Sequence, residues 1–248
     1  MLRKIMLRKT DQGNSTEEKR PVPDYIMDVI EMESKRDQDS PITKVLRFIQ
    51  QIFQPGSDRY DMLYRYEHTM RVASIGELIA NAENLEKEPV VIACLLHDIG
   101  YAMCNNFEDI KDHASYSEQI ARIYLEKMNF TNDLKDKICN SIRIHSGDIN
   151  QLDHEPSPFE LTVRDADDID RMDAMRLGIV ANSIIGENSA SDVIKNCENK
   201  IIQMEKLLNQ TCGTKTADNL LKDRVVYQIE YYQRLIEQMK LTEFVVKE

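Results

Sequence analysis

The chain has 248 residues, with 32 Lys and Arg against 43 Asp and Glu and a net charge of −11. Six basic and three acidic groups fall in the first 20 residues, so the remainder carries −14; charge of this sign excludes a surface that tracks a nucleic-acid polymer. Eight Gly and seven Pro exclude collagen-like and low-complexity chains, and 42% hydrophobic with 30% charged residues is a globular balance.

Residues 1–25 read as a polar leader: MLRK occurs twice, then DQGNSTEEKR, then Pro21 and Pro23. A misplaced start codon and a short basic arm both account for it, and a flexible tail is expected. Ser40-Pro41 is a cap followed by a first-turn proline, after which Val45, Phe48, Ile49 and Ile52 keep helical period. Pro55-Gly56 should end that helix. A long helix is expected from about Asp58 to Glu83, with Val72, Ile75 and Ile79 on one face. Residues 88–104 contain VVIACLL, apolar all round, which predicts a central buried helix. Further helices are expected over about 109–128, 132–145, 159–186, 191–209 and 216–240, with a polar loop at 146–158. No strand pair or repeat is evident. The reading is an all-α protein: leader 1–25, helical domain 26–190, and a C-terminal helical extension 191–248 of the same domain.

The longest apolar run, Pro89 to Leu96, is too short to span a bilayer, and MLRKIMLRKT has no apolar signal core, so no membrane partner is expected. Five cysteines without CxxC spacing read as reduced thiols of a cytoplasmic protein. In the last helix Leu221, Val225, Ile229, Tyr232 and Ile236 form a stripe, open to a homodimer or to packing on the chain's own core.

The five histidines carry the chemistry. His68 shares a face with Val72, Ile75 and Ile79; His97 ends the buried run and precedes Asp98; His113 shares a face with Ser117, Ile120 and Tyr124; His145 follows Leu134, Ile138 and Ile142. Four histidines should therefore point inward, and only His154 should be exposed. One buried histidine is an ordinary core residue. Four, with a carboxylate beside one of them, are costly to desolvate unless a cation is shared among them. Imidazole and carboxylate donors suit Mn, Fe, Co, Ni, Zn or Mg.

The strings YEHTMRVASIGELIA, ACLLHDIG and VRDADDIDRMDA, in this order over about residues 45–185, resemble the HD-domain metal-dependent phosphohydrolase superfamily. The tail KIIQMEKLLNQTCGTKTADNLLKDRVVYQIEYYQRLIEQ is similar to the C-terminal helices of small bacterial HD nucleotide hydrolases. The resemblance implies an all-α fold and a divalent metal held by His68, His97, Asp98 and Asp167, with Asp165 the alternative last ligand. Asp168 and Asp170 are expected on a solvated face or in helix-start charge pairing. Catalytic roles are implied for Asp98, His113 and His145; the two histidines alternatively hold a second ion, act as outer-shell donors or bind substrate phosphate. Arg71, Lys111 and Arg143 are candidate phosphate contacts. The implied reaction is hydrolysis of a small anionic phosphoester, a nucleotide first. Two alternatives remain: another HD-fold chemistry, such as a di-iron oxygenase or a hydratase, and a non-catalytic metal- or ligand-binding sensor.

Overall fold

Helical spacing of the apolar residues decides the architecture. The computed structural model describes residues 20–36, 38–53, 60–106, 108–147, 149–186 and 188–243, and these form ten α-helices and no strand. The expected stop at Pro55-Gly56 and residues 1–19 of the leader lie outside the described residues. The leader's last residues are anchored, contrary to expectation. Arg20 donates to Asp109 Oδ2 at 3.0 Å and to the Met103 carbonyl at 2.9 Å, and α1 (Asp24–Ser34) begins four residues later.

In α2 (Pro41–Phe53) the Thr43 amide donates to Ser40 Oγ at 3.2 Å, and Val45, Phe48, Ile49 and Ile52 are buried. The pair α3 (Tyr60–Glu83) and α4 (Lys87–Leu96) packs at the centre, with every residue from Val90 to Leu96 buried. The helices α5 (His113–Lys127), α6 (Asn132–Ile144) and α7 (Pro158–Arg171) close the bundle, α7 lying against both α3 and α6. A reciprocal capping box between Ser157 and Glu160 starts α7. The remaining helices are α8 (Ala174–Ile185), α9 (Ala190–Leu207) and α10 (Lys215–Lys240). The stripe of α10 is divided between two cores. Leu221 and Val225 join the main one; Tyr232 joins Leu177, Ile184, Val193 and Cys197 in a smaller one.

Two helices end sooner than the periodicity suggests, and both stops position the site. The helix expected to reach residue 104 stops at Leu96 and continues as a 3-10 turn, Ile99–Met103. At Gly100 a Cβ would collide with the His113 carbonyl and the Ser117 amide, and its own amide donates to Ser117 Oγ at 2.8 Å. Glycine there lets the start of α5 press against the 3-10 turn that follows α4. The helix expected over 159–186 is split at Met172–Asp173. Asp173 leaves helical geometry and caps α8 through Ala174 N at 2.7 Å. From α10, Gln228 donates to the Met172 carbonyl at 2.7 Å and Arg224 to Asp173 at 3.2 Å, so tertiary contacts hold the break.

Candidate metal centre

Asp98, just past the end of α4, is buried, and four imidazoles converge on it. His68 Nε2 and His97 Nε2 each lie 3.6 Å from Oδ2. His113 Nε2 and His145 Nε2 each lie 3.5 Å from Oδ1. Asp167 Oδ1, from α7, is 3.1 Å from His68 Nε2. All four histidines are buried, as their inward faces require, whereas His154 is half-exposed and pairs with Asp153 and Glu160.

Local helix endings set the imidazole orientations. His97 follows the last residue of α4, His145 the last of α6, and His113 the last of a 3-10 turn, Asp109–Asp112. The final carbonyls of a helix lack intrahelical partners. Nδ1–H of His97 donates to Cys94 O at 2.7 Å, that of His113 to Ile110 O at 2.7 Å, and that of His145 to Ile142 O at 2.6 Å. A carbonyl only accepts, so Nδ1 carries the proton and each Nε2 presents a lone pair inward. His68 sits in mid-helix, where carbonyls are already engaged. Its Nδ1–H donates instead to Asp170 Oδ2 at 2.7 Å.

This donor set fits a cation. Nε2 of His97 is fully buried and has no hydrogen-bond partner. The Nε2 atoms of His113 and His145 face each other at 3.2 Å, two like lone pairs that a shared cation would reconcile. Donor atoms about 2.1 Å from one ion lie about 3.0–3.4 Å apart at octahedral or tetrahedral angles, which is the scale of the separations here. Two triads, His68–His97–Asp98 and Asp98–His113–His145, are each close enough to share an ion.

The carboxylates of the cluster stay ionised and His97 stays neutral, whereas His68 holds a proton that an ion bound there would displace. Burial would raise the Asp98 carboxyl, but the imidazoles around it and the Arg65 guanidinium outweigh it and hold the group well below the usual carboxylate range. Burial likewise opposes ionisation of Asp167, and the His68 hydrogen bond overrides it, lowering it to about 2. Burial lowers His97 to about 4, so it is a neutral ligand at pH 7. Burial also disfavours charge on His68, yet Asp167 and Asp170 overcome it and raise the imidazole to about 9.

The other expected residues are placed as follows. Asp165 turns away from the cluster and accepts from Gly213 N at 2.8 Å. Asp170 is not on a solvated face: it is buried between His68 and Arg71. Arg71 is committed to that carboxylate, through Nε at 2.6 Å and Nη2 at 3.2 Å, and does not line the site cavity. Arg143 donates to Asn140 and also lies off the cavity. Lys111 lines the mouth, where it reaches Glu108 at 3.3 Å. Asp168 is half-buried and does not line the site cavity.

Sequence reasoning missed Arg65. Its Nη1 is 3.0 Å from Asp98 Oδ2, and its guanidinium lies 3.5 Å over the ring of Tyr101. The available signal was spacing: Arg65 is one turn before His68 on α3, hence on the same face. With Arg171 and Arg176 it lines a cavity of about 760 Å³ that opens onto Asp98 and Asp167.

Residues 65–175 match the family described as HD domain. Among solved structures, the fold is similar to the crystal structure of a predicted HD superfamily hydrolase from an uncultured Thermotogales bacterium. The TM-score is 0.57 at 21% identity, covering 84% of this chain and 98% of that one. No curated protein matches the chain. No helix among the described residues is long and apolar enough to cross a membrane. The stretch that matches the HD-domain family, residues 65–175, runs from Arg65 through His68, His97-Asp98, His113, His145 and Asp167, so it contains every side chain of the cluster.

Proposed function

We propose that the protein is a divalent-metal-dependent phosphohydrolase acting on a small phosphoester, with nucleotides the first class to test. One observation carries the reading: each oxygen of Asp98 faces its own pair of imidazole nitrogens, as a carboxylate shared by two cations would. His68, His97, Asp98 and Asp167 would hold one ion, and Asp98, His113 and His145 the second. Bound there, divalent cations polarise a phosphoryl oxygen and bring the pKa of water toward neutrality.

The chain's own side chains supply binding and orientation. Arg65 is within reach of the cavity and can turn its guanidinium from Asp98 to the outer oxygens of a phosphate. Tyr101, stacked beneath it, fixes the plane of that guanidinium. Arg171, Arg176 and Lys111 add positive charge around the same space, offsetting the acidity of the chain. About 760 Å³ accommodates a ligand of nucleotide size. His113 and His145 have Nδ1–H bound to carbonyls and Nε2 turned to Asp98, so they suit ligation better than proton transfer.

The test is hydrolysis of p-nitrophenyl phosphate and a nucleotide panel with Mn, Co or Ni added, in wild type and His97→Ala. Phosphate release that disappears in the variant is the expected result. Full activity in His97→Ala would remove the centre from the mechanism. Iron-dependent oxygen uptake without phosphate release would select an oxygenase, and stoichiometric metal without turnover a binding module.

A further inference from the structure

Beyond Arg171 and Arg176 lies a second cavity, of about 180 Å³, between the end of α7 and helices α8, α9 and α10. Both arginines line it as well as the larger cavity, so the two spaces share a wall. Lys200, from α9, contributes a third cation; it is half-buried and has no ion-pair partner among the described residues. Arg176 donates one Nη1–H to Tyr64 Oη at 3.4 Å and makes no ion pair there. The nearest carboxylate to Arg171 is Asp167, at 3.6 Å and already turned toward His68.

Tyr232 adds an independent observation. It is 1% exposed, lines this cavity, and its hydroxyl has no hydrogen-bond partner among the described residues. Burial pushes the phenol up to about 12, so it keeps its proton and remains a donor. Tyr232 thus lines the cavity with its donor free, and three cations gathered around one small space repel one another. An anion relieves both. The space equals roughly six water molecules, too little for a nucleoside and enough for a phosphate or carboxylate.

The geometry points to a distal anion subsite in which Arg171, Arg176, Lys200 and Tyr232 hold a second anionic group of the ligand whose phosphoester lies beside Asp98. This rests on the phosphohydrolase reading for the first group. It names the substrate class: a small molecule carrying two anionic groups rather than a simple monoester. Asp167 and Arg171 are one turn apart on α7, about 6 Å along the axis, so a compact bisphosphorylated molecule spans both places.

Equilibrium dialysis of radiolabelled inorganic phosphate, at fixed ionic strength with Mg²⁺, tests it. Wild type should bind two phosphates per chain. Lys200→Gln should weaken one class about tenfold, and Tyr232→Phe the same class several-fold. His97→Ala should weaken the other class only. A single class in wild type, or wild-type binding in both Lys200→Gln and Tyr232→Phe, would overturn the subsite. Tyr232→Phe removes one oxygen and preserves the core, so a folding failure of Lys200→Gln does not decide the matter. Turnover of p-nitrophenyl phosphate by wild type is scored separately. No turnover with both phosphate classes intact defeats the hydrolase reading and leaves the subsite; turnover with unaltered binding in the variants does the reverse.

Discussion

The two sides of Asp98 hold their imidazoles by different means. On the Oδ1 side, His113 and His145 lean only on last-turn backbone carbonyls at helix ends. On the Oδ2 side, His97 does the same, but His68 needs a carboxylate from another helix, and a further carboxylate, Asp167, stands beside it. Position along the helix is the cause: an imidazole just past a terminus reaches a last-turn carbonyl that can accept a side-chain donor, one in mid-helix does not. The result is unequal charge. The Oδ2 side presents Asp98 and Asp167 with Asp170 behind them, offset in part by Arg65 on Oδ2 and Arg71 on Asp170, whereas the Oδ1 side shares Asp98 alone. A dication should therefore bind more tightly on the Oδ2 side, and the Oδ1 side should empty first under a chelator.

The largest effect should come from His97→Ala. Its Nε2 has no partner in the protein, so its only visible role is ligation. Hydrolysis should fall by a factor on the order of 10³ or more, as when one member of a catalytic unit is lost. Metal analysis should show the tighter ion missing. Loss of the weaker ion alone would reverse the assignment of the two sides.

Gly100→Ala should strike the opposite side through the backbone. The added methyl has no room against the His113 carbonyl and the Ser117 amide, so α5 must retreat and carry His113 away from Asp98. Overpacking of this kind costs about 1–3 kcal/mol. A lower Tm together with one ion per chain instead of two is the expected result. Two ions retained at wild-type affinity would show that α5 does not depend on this contact. His145→Ala should give the same stoichiometry with less loss of stability, because it removes a ligand without moving a helix.

These differences also explain what could be read from the chain beforehand. The inward faces of His68, His97, His113 and His145 follow from apolar residues three and four positions away, a local pattern, and burial agrees with it. The all-α class follows from the same periodicity. The partners of the imidazole Nδ1 atoms were not legible, because they depend on where each helix stops. The stop after Leu96 is set by contact between Gly100 and α5, and the break at Asp173 by Gln228 and Arg224 of α10, distant residues in both cases. Asp170 and Arg71 were misread because each was weighed alone. Asp167 and Asp170 are three apart on α7, His68 and Arg71 three apart on α3, and two such pairs can meet across an interface.

Asp170→Asn probes that meeting with the smallest chemical change. Asparagine Oδ1 can still accept from His68 Nδ1–H, so the ring keeps its orientation. The negative charge that makes His68 a stronger donor is lost, and the amide N–H₂ confronts the guanidinium of Arg71, donor against donor. Outer carboxylates of this kind are worth about 10–100-fold in metal affinity. Calorimetric titration should show the tighter ion weakened by roughly that factor and the weaker ion unchanged, since no carboxylate other than Asp98 links the two sides. Equal weakening of both ions would mean that Asp170 acts through Asp98 rather than through His68. No weakening would mean that the carbonyl-backed His97, with Asp98 and Asp167, suffices to hold the first ion, and the inequality between the two sides would then rest on Asp167 alone.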